Sequence, residues 1–323
     1  MAVTDPPVKG TAVPAGLLIG IASALCFGLS GPLARLLIDD GLSPMQVVWL
    51  RLGGAAVVLL AVARPSLRVP RGRRGYVVLY TLLGFALVQA CYYAAVARLP
   101  VGLASLLEYA APVLVAVWVR LVRGVRLPRA ALGGMALTMA GLVCVTRVWD
   151  GLSSDALGLL FGLGTAAGAA AYFLLAQDSG DGIAPLTALA WGLIGSTAVL
   201  TPLARPWDLP WDALDGRDLL ALGLLVGVAT LLAYITGMAA VRRLTSAVGA
   251  AVASLEAVTA ALLAWAVLGQ ALTPVQIGGG LVVLLGALLV QQAVARAQPR
   301  RADEPREAAD RDVTHVTYGA GHE

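Results

Sequence analysis

Residues 94–119 read AAVARLPVGLASLLEYAAPVLVAVWV, and residues 239–264 read AAVRRLTSAVGAAVASLEAVTAALLA, one pattern at a fixed offset. Arg98-Leu99 falls on Arg243-Leu244, Val113 on Val258 and Ala116 on Ala261. The register continues downstream: Gly124 falls on Gly269, Gly133-Gly134 on Gly278-Gly279, Gly141 on Gly286 and Val145 on Val290. Upstream, Gly16, Gly20, Ala24 and Gly28 match Gly158, Gly162, Ala166 and Ala170, while Pro44 and Gly54 match Pro185 and Gly195. The chain is a tandem duplication, and each copy carries five apolar segments. Five is odd, so in a membrane the second copy must enter from the opposite side. An inverted repeat of this kind points to transport by alternating access around a central site.

Of the 323 residues, 59% are hydrophobic and 13% are charged, whereas about 25% of an average soluble domain is charged. The charges sit in short clusters between ten apolar runs, at 14–38, 44–63, 75–97, 101–122, 129–147, 156–177, 184–204, 218–240, 245–268 and 274–295. Each run is about 20 residues long, enough to cross the hydrocarbon core as a helix. A bilayer has no water to satisfy backbone groups, so the runs are expected to be helical. The alternating pattern of a membrane barrel is absent. The expected fold class is an all-α polytopic membrane protein: ten transmembrane helices as two inverted five-helix repeats. The divisions read as a cytoplasmic N-terminus (1–13), a first repeat (14–147), an external linker (148–155), a second repeat (156–295) and a disordered, charged cytoplasmic tail (296–323).

Positive charge gathers in cytoplasmic loops. With both termini inside, the inner segments hold 17 of the 23 Lys and Arg residues, among them Arg64, Arg68, Arg71, Arg73 and Arg74. The outer loops hold four, with Asp39, Asp40, Asp150, Asp155, Asp208, Asp212, Asp215 and Asp218. Corresponding loops carry opposite character: 64–74 has five Arg, and its counterpart 205–218 has four Asp and two Arg. Lys9 alone precedes the first run, which is too long for the core of a cleavable signal. All three cysteines, Cys26, Cys91 and Cys144, fall inside spans, which excludes a disulfide framework or a CxxC metal site. Both histidines, His315 and His322, lie in the tail, leaving none for a relay or a metal site within the membrane.

Ionisable groups inside a bilayer are costly, by about 2.5–3.5 kcal/mol at mid-span on insertion scales. Three stand out. Arg51 in span 2 and Glu108 in span 4 each lie seven residues in from the outer side, roughly 10 Å deep. Their equal depth allows an ion pair, which would either anchor a zwitterionic or charged substrate or simply hold structure. Glu256 lies near the middle of span 9 with no opposite charge at its depth, which makes it a candidate proton carrier for coupling. Trp49, Gln89, Tyr92, Tyr93 and Tyr109 share the depth of the first pair, and Tyr172, Trp191, Tyr234 and Trp265 offer aromatic walls in the second half. The alternative for each aromatic residue is a place at the membrane interface. The ladders Gly16-Gly20-Ala24-Gly28, Gly158-Gly162-Ala166-Ala170 and Gly223-Gly227 read as close helix contacts. Pro32 and Pro112 are expected to break spans 1 and 4. There is no Walker A motif, no GxSxG and no HExxH, so the chain does not read as an enzyme.

Ala104-Ser105-Leu106-Leu107-Glu108-Tyr109-Ala110-Ala111-Pro112-Val113 resembles span 4 of the EamA family in the drug/metabolite transporter superfamily. Ser254-Leu255-Glu256-Ala257-Val258, running on to Leu268-Gly269-Gln270-Ala271-Leu272-Thr273-Pro274, is similar to its span 9. The resemblance covers about 14–295. It departs at Ala257, where the family often has Pro, and at Val125 and Gln270, where it often has Glu. It implies two inverted five-helix bundles around a cavity lined by spans 1–4 and 6–9, with spans 5 and 10 peripheral. Family members mostly export amino acids, nucleobases, other small metabolites or drugs.

The expected function is thus a secondary transporter of a bacterial inner membrane, exporting small metabolites or drugs by alternating access. A flippase for lipid-linked carriers is the alternative on the same fold, and an intramembrane lipid-processing enzyme a more distant one. The expected partners are a small-molecule substrate, the bilayer, and protons or another coupling ion, with no cofactor, metal or nucleic acid; a homodimer is left open.

Overall fold

The computed structural model describes residues 12–124, 127–146, 155–178, 183–241, 243–244 and 246–297. Most of the expected N-terminal segment (1–13), of the expected tail (296–323) and of the 148–155 linker lies outside the described residues. Ten helices are long and apolar enough to cross a membrane: span 1 (Ala15–Asp39), span 2 (Pro44–Val62), span 3 (Arg71–Val96), span 4 (Val101–Leu121), span 5 (Arg129–Thr146), span 6 (Ala156–Leu175), span 7 (Pro185–Ala204), span 8 (Gly216–Ala240), span 9 (Ala251–Leu268) and span 10 (Pro274–Ala293). No strand occurs among the described residues. Val62 and Leu121 are more than three-quarters exposed, an arrangement suited to lipid rather than water.

Local chemistry sets the helix ends. Ser43 and Gln46 form a reciprocal capping box ahead of span 2, with Pro44 at the first helical position. Asp215 and Asp218 repeat the device ahead of span 8. Gly124 and Gly269 are repeat mates, and they close spans 4 and 9 at φ +66° and +67°, a left-handed conformation that glycine adopts without strain.

Spans 1, 4 and 9 are each interrupted. Span 1 breaks between Gly28 and Ser30, and span 4 between Glu108 and Ala111. The missing N–H groups of Pro32 and Pro112 leave the carbonyls of Gly28 and Glu108 without their helical donors, as the sequence leads one to expect. Span 9 breaks at Ser254 without a proline. There, Ser254 donates its hydroxyl back to the Ala251 carbonyl at 2.7 Å, and Tyr109 from span 4 donates to the Ala253 carbonyl at 2.9 Å. A phenol at one break thus ties down the backbone at the other. Spans 3 and 8 each carry a π-helical segment, Tyr80–Leu87 and Gly227–Leu232, which overlap in the repeat register. Such segments frequently mark functional sites.

The repeat is visible in the packing. A Cβ on Gly16 would meet the side chains of Arg243 and Leu244; on its mate Gly158 it would meet those of Arg98 and Leu99, the matching pair. Spans 5 and 10 cross through Gly134 and Gly141 of one and Gly279 and Gly286 of the other, each glycine facing the mate of its own helix partner. The Gly223-Gly227 ladder behaves differently: a Cβ at either position meets nothing within 4 Å, so these two glycines do not bring helices together.

A Cβ at Gly141 would lie 2.7 Å from both the Gly279 carbonyl oxygen and the Val283 amide nitrogen, backbone atoms that cannot swing aside. Gly141→Ala is therefore expected to cost about 1–3 kcal/mol by overpacking. Gly133→Ala, where a Cβ meets nothing within 4 Å, should be neutral or slightly stabilising. Thermal unfolding of the two variants in detergent checks the contrast; equal midpoints would mean that spans 5 and 10 do not pack this way.

Candidate functional site

One cavity of about 530 Å³ lies between the repeats. Spans 1–4 and 6–9 all contribute to its lining, while spans 5 and 10 contribute nothing. It runs to the arginine-rich end of the bundle, where Pro185, Leu244 and Gly249 line it, and its deep wall carries Arg51, Gln89, Tyr92, Glu108 and Glu256. Phe27, Tyr172, Phe173 and Tyr234 supply aromatic surface. Tyr234 meets Phe27 edge-on at 5.0 Å and stacks on Phe85 at 5.5 Å, which fixes its ring.

Arg51 is 2% exposed, and four of its five N–H groups are engaged by the protein wall. Its Nε donates to Thr230 Oγ1 at 2.6 Å, and Nη1 donates to Gln89 Oε1 and to the Tyr93 hydroxyl, both at 2.7 Å. Nη2 donates to the Ala229 carbonyl at 3.2 Å. That carbonyl and Thr230 belong to the π-helical segment of span 8, so the irregular backbone of one repeat receives a cation from the other. The guanidinium also sits 5.4 Å from the centre of the Tyr93 ring. Tyr93 is fully buried, and its hydroxyl also pairs with Ser30 at 2.9 Å.

The ion pair between Arg51 and Glu108 that equal depth allowed is not formed. The guanidinium turns toward neutral oxygens on spans 3 and 8 instead. Glu108 and Glu256 both line the cavity, and neither carboxyl has a hydrogen bond or salt bridge to the protein among the described residues. Each sits at a helix break, Glu108 as the last residue of Val101–Glu108 and Glu256 in the first turn of Leu255–Leu268.

The remaining candidates divide. Gln89 and Tyr234 line the cavity. Tyr93 supports Arg51 from behind, and Tyr109 holds the two breaks together. Trp49 donates to Thr201 Oγ1 at 2.9 Å, joining spans 2 and 7, and Trp191 donates to the Leu67 carbonyl at 3.2 Å; neither lines the cavity. The sequence did not single out Thr230, Ser23, Phe27 or Phe173. A hydroxyl in a wholly apolar run was the one available signal for Thr230; isolated Phe residues in apolar runs carry none.

The other end of the bundle, rich in aspartate, is closed by polar contacts. Arg35 donates to the carbonyls of Val96 and Ala97 at 3.0 and 3.2 Å. The Val101 amide donates to Gln270 Oε1 at 2.9 Å, which gives the residue that replaces the family's frequent Glu a role in joining the start of span 4 to the loop between spans 9 and 10. Arg98 pairs with Asp155 at 2.6 Å. The Arg98 hydrogen bond first, and then the Gly158 amide, hold the Asp155 carboxyl below the usual carboxylate range. A carboxylate held down in this way contributes above that range and loses its contribution only as pH falls below it, so the contact stays ionised across about pH 5–8. Asp155→Asn is accordingly expected to raise opening at this end by up to about fivefold. The readout is thiol labelling of Ser30→Cys, with Cys26, Cys91 and Cys144 replaced, by an impermeant reagent. Unchanged labelling would show that the pair is not a latch.

Ten apolar helices in two inverted repeats, with a cavity between them closed at one end, define a polytopic membrane transport protein. The chain belongs to the EamA-like transporter family, whose model matches residues 14–147 and again 156–291. It is thus a membrane transporter of the drug/metabolite transporter superfamily. A solved crystal structure shares the fold at a TM-score of 0.59 and 20% identity, covering 87% of this chain and 99% of the other. None of the curated proteins matches the sequence.

Proposed function

We propose that this protein is a secondary transporter that exports a small metabolite or drug across a bacterial inner membrane by alternating access. One observation carries the reading: a cavity reaches the two interior carboxyls from the arginine-rich end and stops at contacts joining both repeats. The charge bias of the loops assigns the arginine-rich end to the cytoplasm, so the cavity faces the cytoplasm, as an exporter awaiting substrate would. Its volume suits a drug-sized molecule. Glu256 is the proposed proton carrier, because it is exposed to the cavity and tied to no protein donor. Arg51 shapes the wall more than it contacts substrate.

Flux tests the reading. Purified protein in liposomes should move members of a panel of amino acids, nucleobases and amine drugs saturably, and faster under a pH gradient. Folded protein that moves none of them, while scrambling a lipid-linked carrier, would replace this reading with the flippase.

A further inference from the structure

We propose that the cavity selects its substrate by positive charge: the ligand is a small organic cation, an ammonium or amidinium on an aromatic or apolar body, seated against Glu108 with Glu256 nearby. This rests on the transporter reading and narrows it. Three observations point the same way.

The first is how the one interior cation is spent. Among the described residues, Arg51 is the only basic one lining the cavity, and four of its five N–H groups are donated to Thr230, Gln89, Tyr93 and the Ala229 carbonyl. A substrate carboxylate would have to displace these bonds to claim a bidentate grip. The second is the reverse condition of the acids. Glu108 and Glu256 line the same cavity without a hydrogen bond or salt bridge from the protein among the described residues. A carboxylate withdrawn from bulk water gains most from a charged donor, and among the described residues no further Lys, Arg or His lines the cavity to provide one. The third is the wall. Phe27, Tyr92, Tyr172 and Tyr234 line the same cavity as the acids, and aromatic faces attract cations and repel anions. Among the described residues, the cavity's cationic donor is bound to the wall while two carboxyls stand open to the cavity, the complement of an ammonium.

The test holds the body constant and varies the charge. Binding of 2-phenylethylammonium, zwitterionic phenylalanine and 3-phenylpropionate to the purified protein is measured at one pH by thermal shift and by titration calorimetry. The ammonium should bind about tenfold or more tightly than the anion, with the zwitterion between them. Glu108→Gln should cut ammonium binding by about tenfold while leaving the unliganded midpoint unchanged, since no protein hydrogen bond is lost. Should that variant fail to fold, the wild-type charge series and Glu256→Gln still decide the matter. Tighter binding of the anion, equal binding of all three, or no binding of the ammonium overturns the inference. Flux separates the two claims: saturable transport of acids or neutral molecules only would leave a transporter and remove the cation.

Discussion

Arg51→Ala is expected to lower the unfolding midpoint in detergent by about 5 °C or more, a larger loss than at any other cavity residue. The guanidinium joins spans 2, 3 and 8 through four hydrogen bonds, and it is 2% exposed. Hydrogen bonds to charged groups contribute about 1.5–3 kcal/mol in soluble proteins, and polar contacts between membrane helices about 0.6 kcal/mol on average. Even on the smaller figure, four bonds and an emptied volume sum to roughly 3 kcal/mol. Removing the donor also leaves Gln89 and Tyr93 facing a hole. Arg51→Lys should recover only part of the loss, because one ammonium cannot reach acceptors spread across two helices. If the midpoint is unchanged while transport is lost, Arg51 is a substrate anchor after all, and the reading of the wall fails.

The second large effect is expected at Glu256. Glu256→Gln should leave a folded protein whose flux no longer responds to a pH gradient. The substitution is nearly isosteric, and the carboxyl has no hydrogen bond to lose among the described residues. What it removes is the ability to gain and release a proton. If one proton is exchanged per substrate, each unit of pH gradient supports about a tenfold concentration ratio. Wild-type liposomes should approach that ratio, and the variant should stop at equal concentrations. Accumulation that persists in Glu256→Gln would sink the coupling role and move it to Glu108, the other carboxyl free to reach the cavity.

Much of this protein is legible along the chain. Hydropathy alone separates ten apolar runs, and the repeat pairs them without any knowledge of contacts. Pro32 and Pro112 announce two helix breaks, because a missing N–H is a local fact. The break at Ser254 was not legible. Ala257 stands where a proline would have signalled it, and the distortion depends partly on Tyr109 reaching across from another helix. The Gly223-Gly227 ladder misled for the opposite reason: its spacing permits close packing, but no helix lies against it.

The sequence by itself determined the class of fold, the inverted arrangement and the identity of the three charged groups within the membrane, because burial cost and backbone saturation in lipid act on each segment separately. Tertiary structure decided what those charges do. Depth in the bilayer placed Arg51 and Glu108 level with one another, yet the direction in which each helix is turned gave the arginine to Thr230, Gln89 and Tyr93 and left both glutamates to the cavity. Helix rotation is set by packing among residues far apart in the chain, including the glycines that let spans meet. A one-dimensional pattern records the depth of a side chain but not the neighbour it meets.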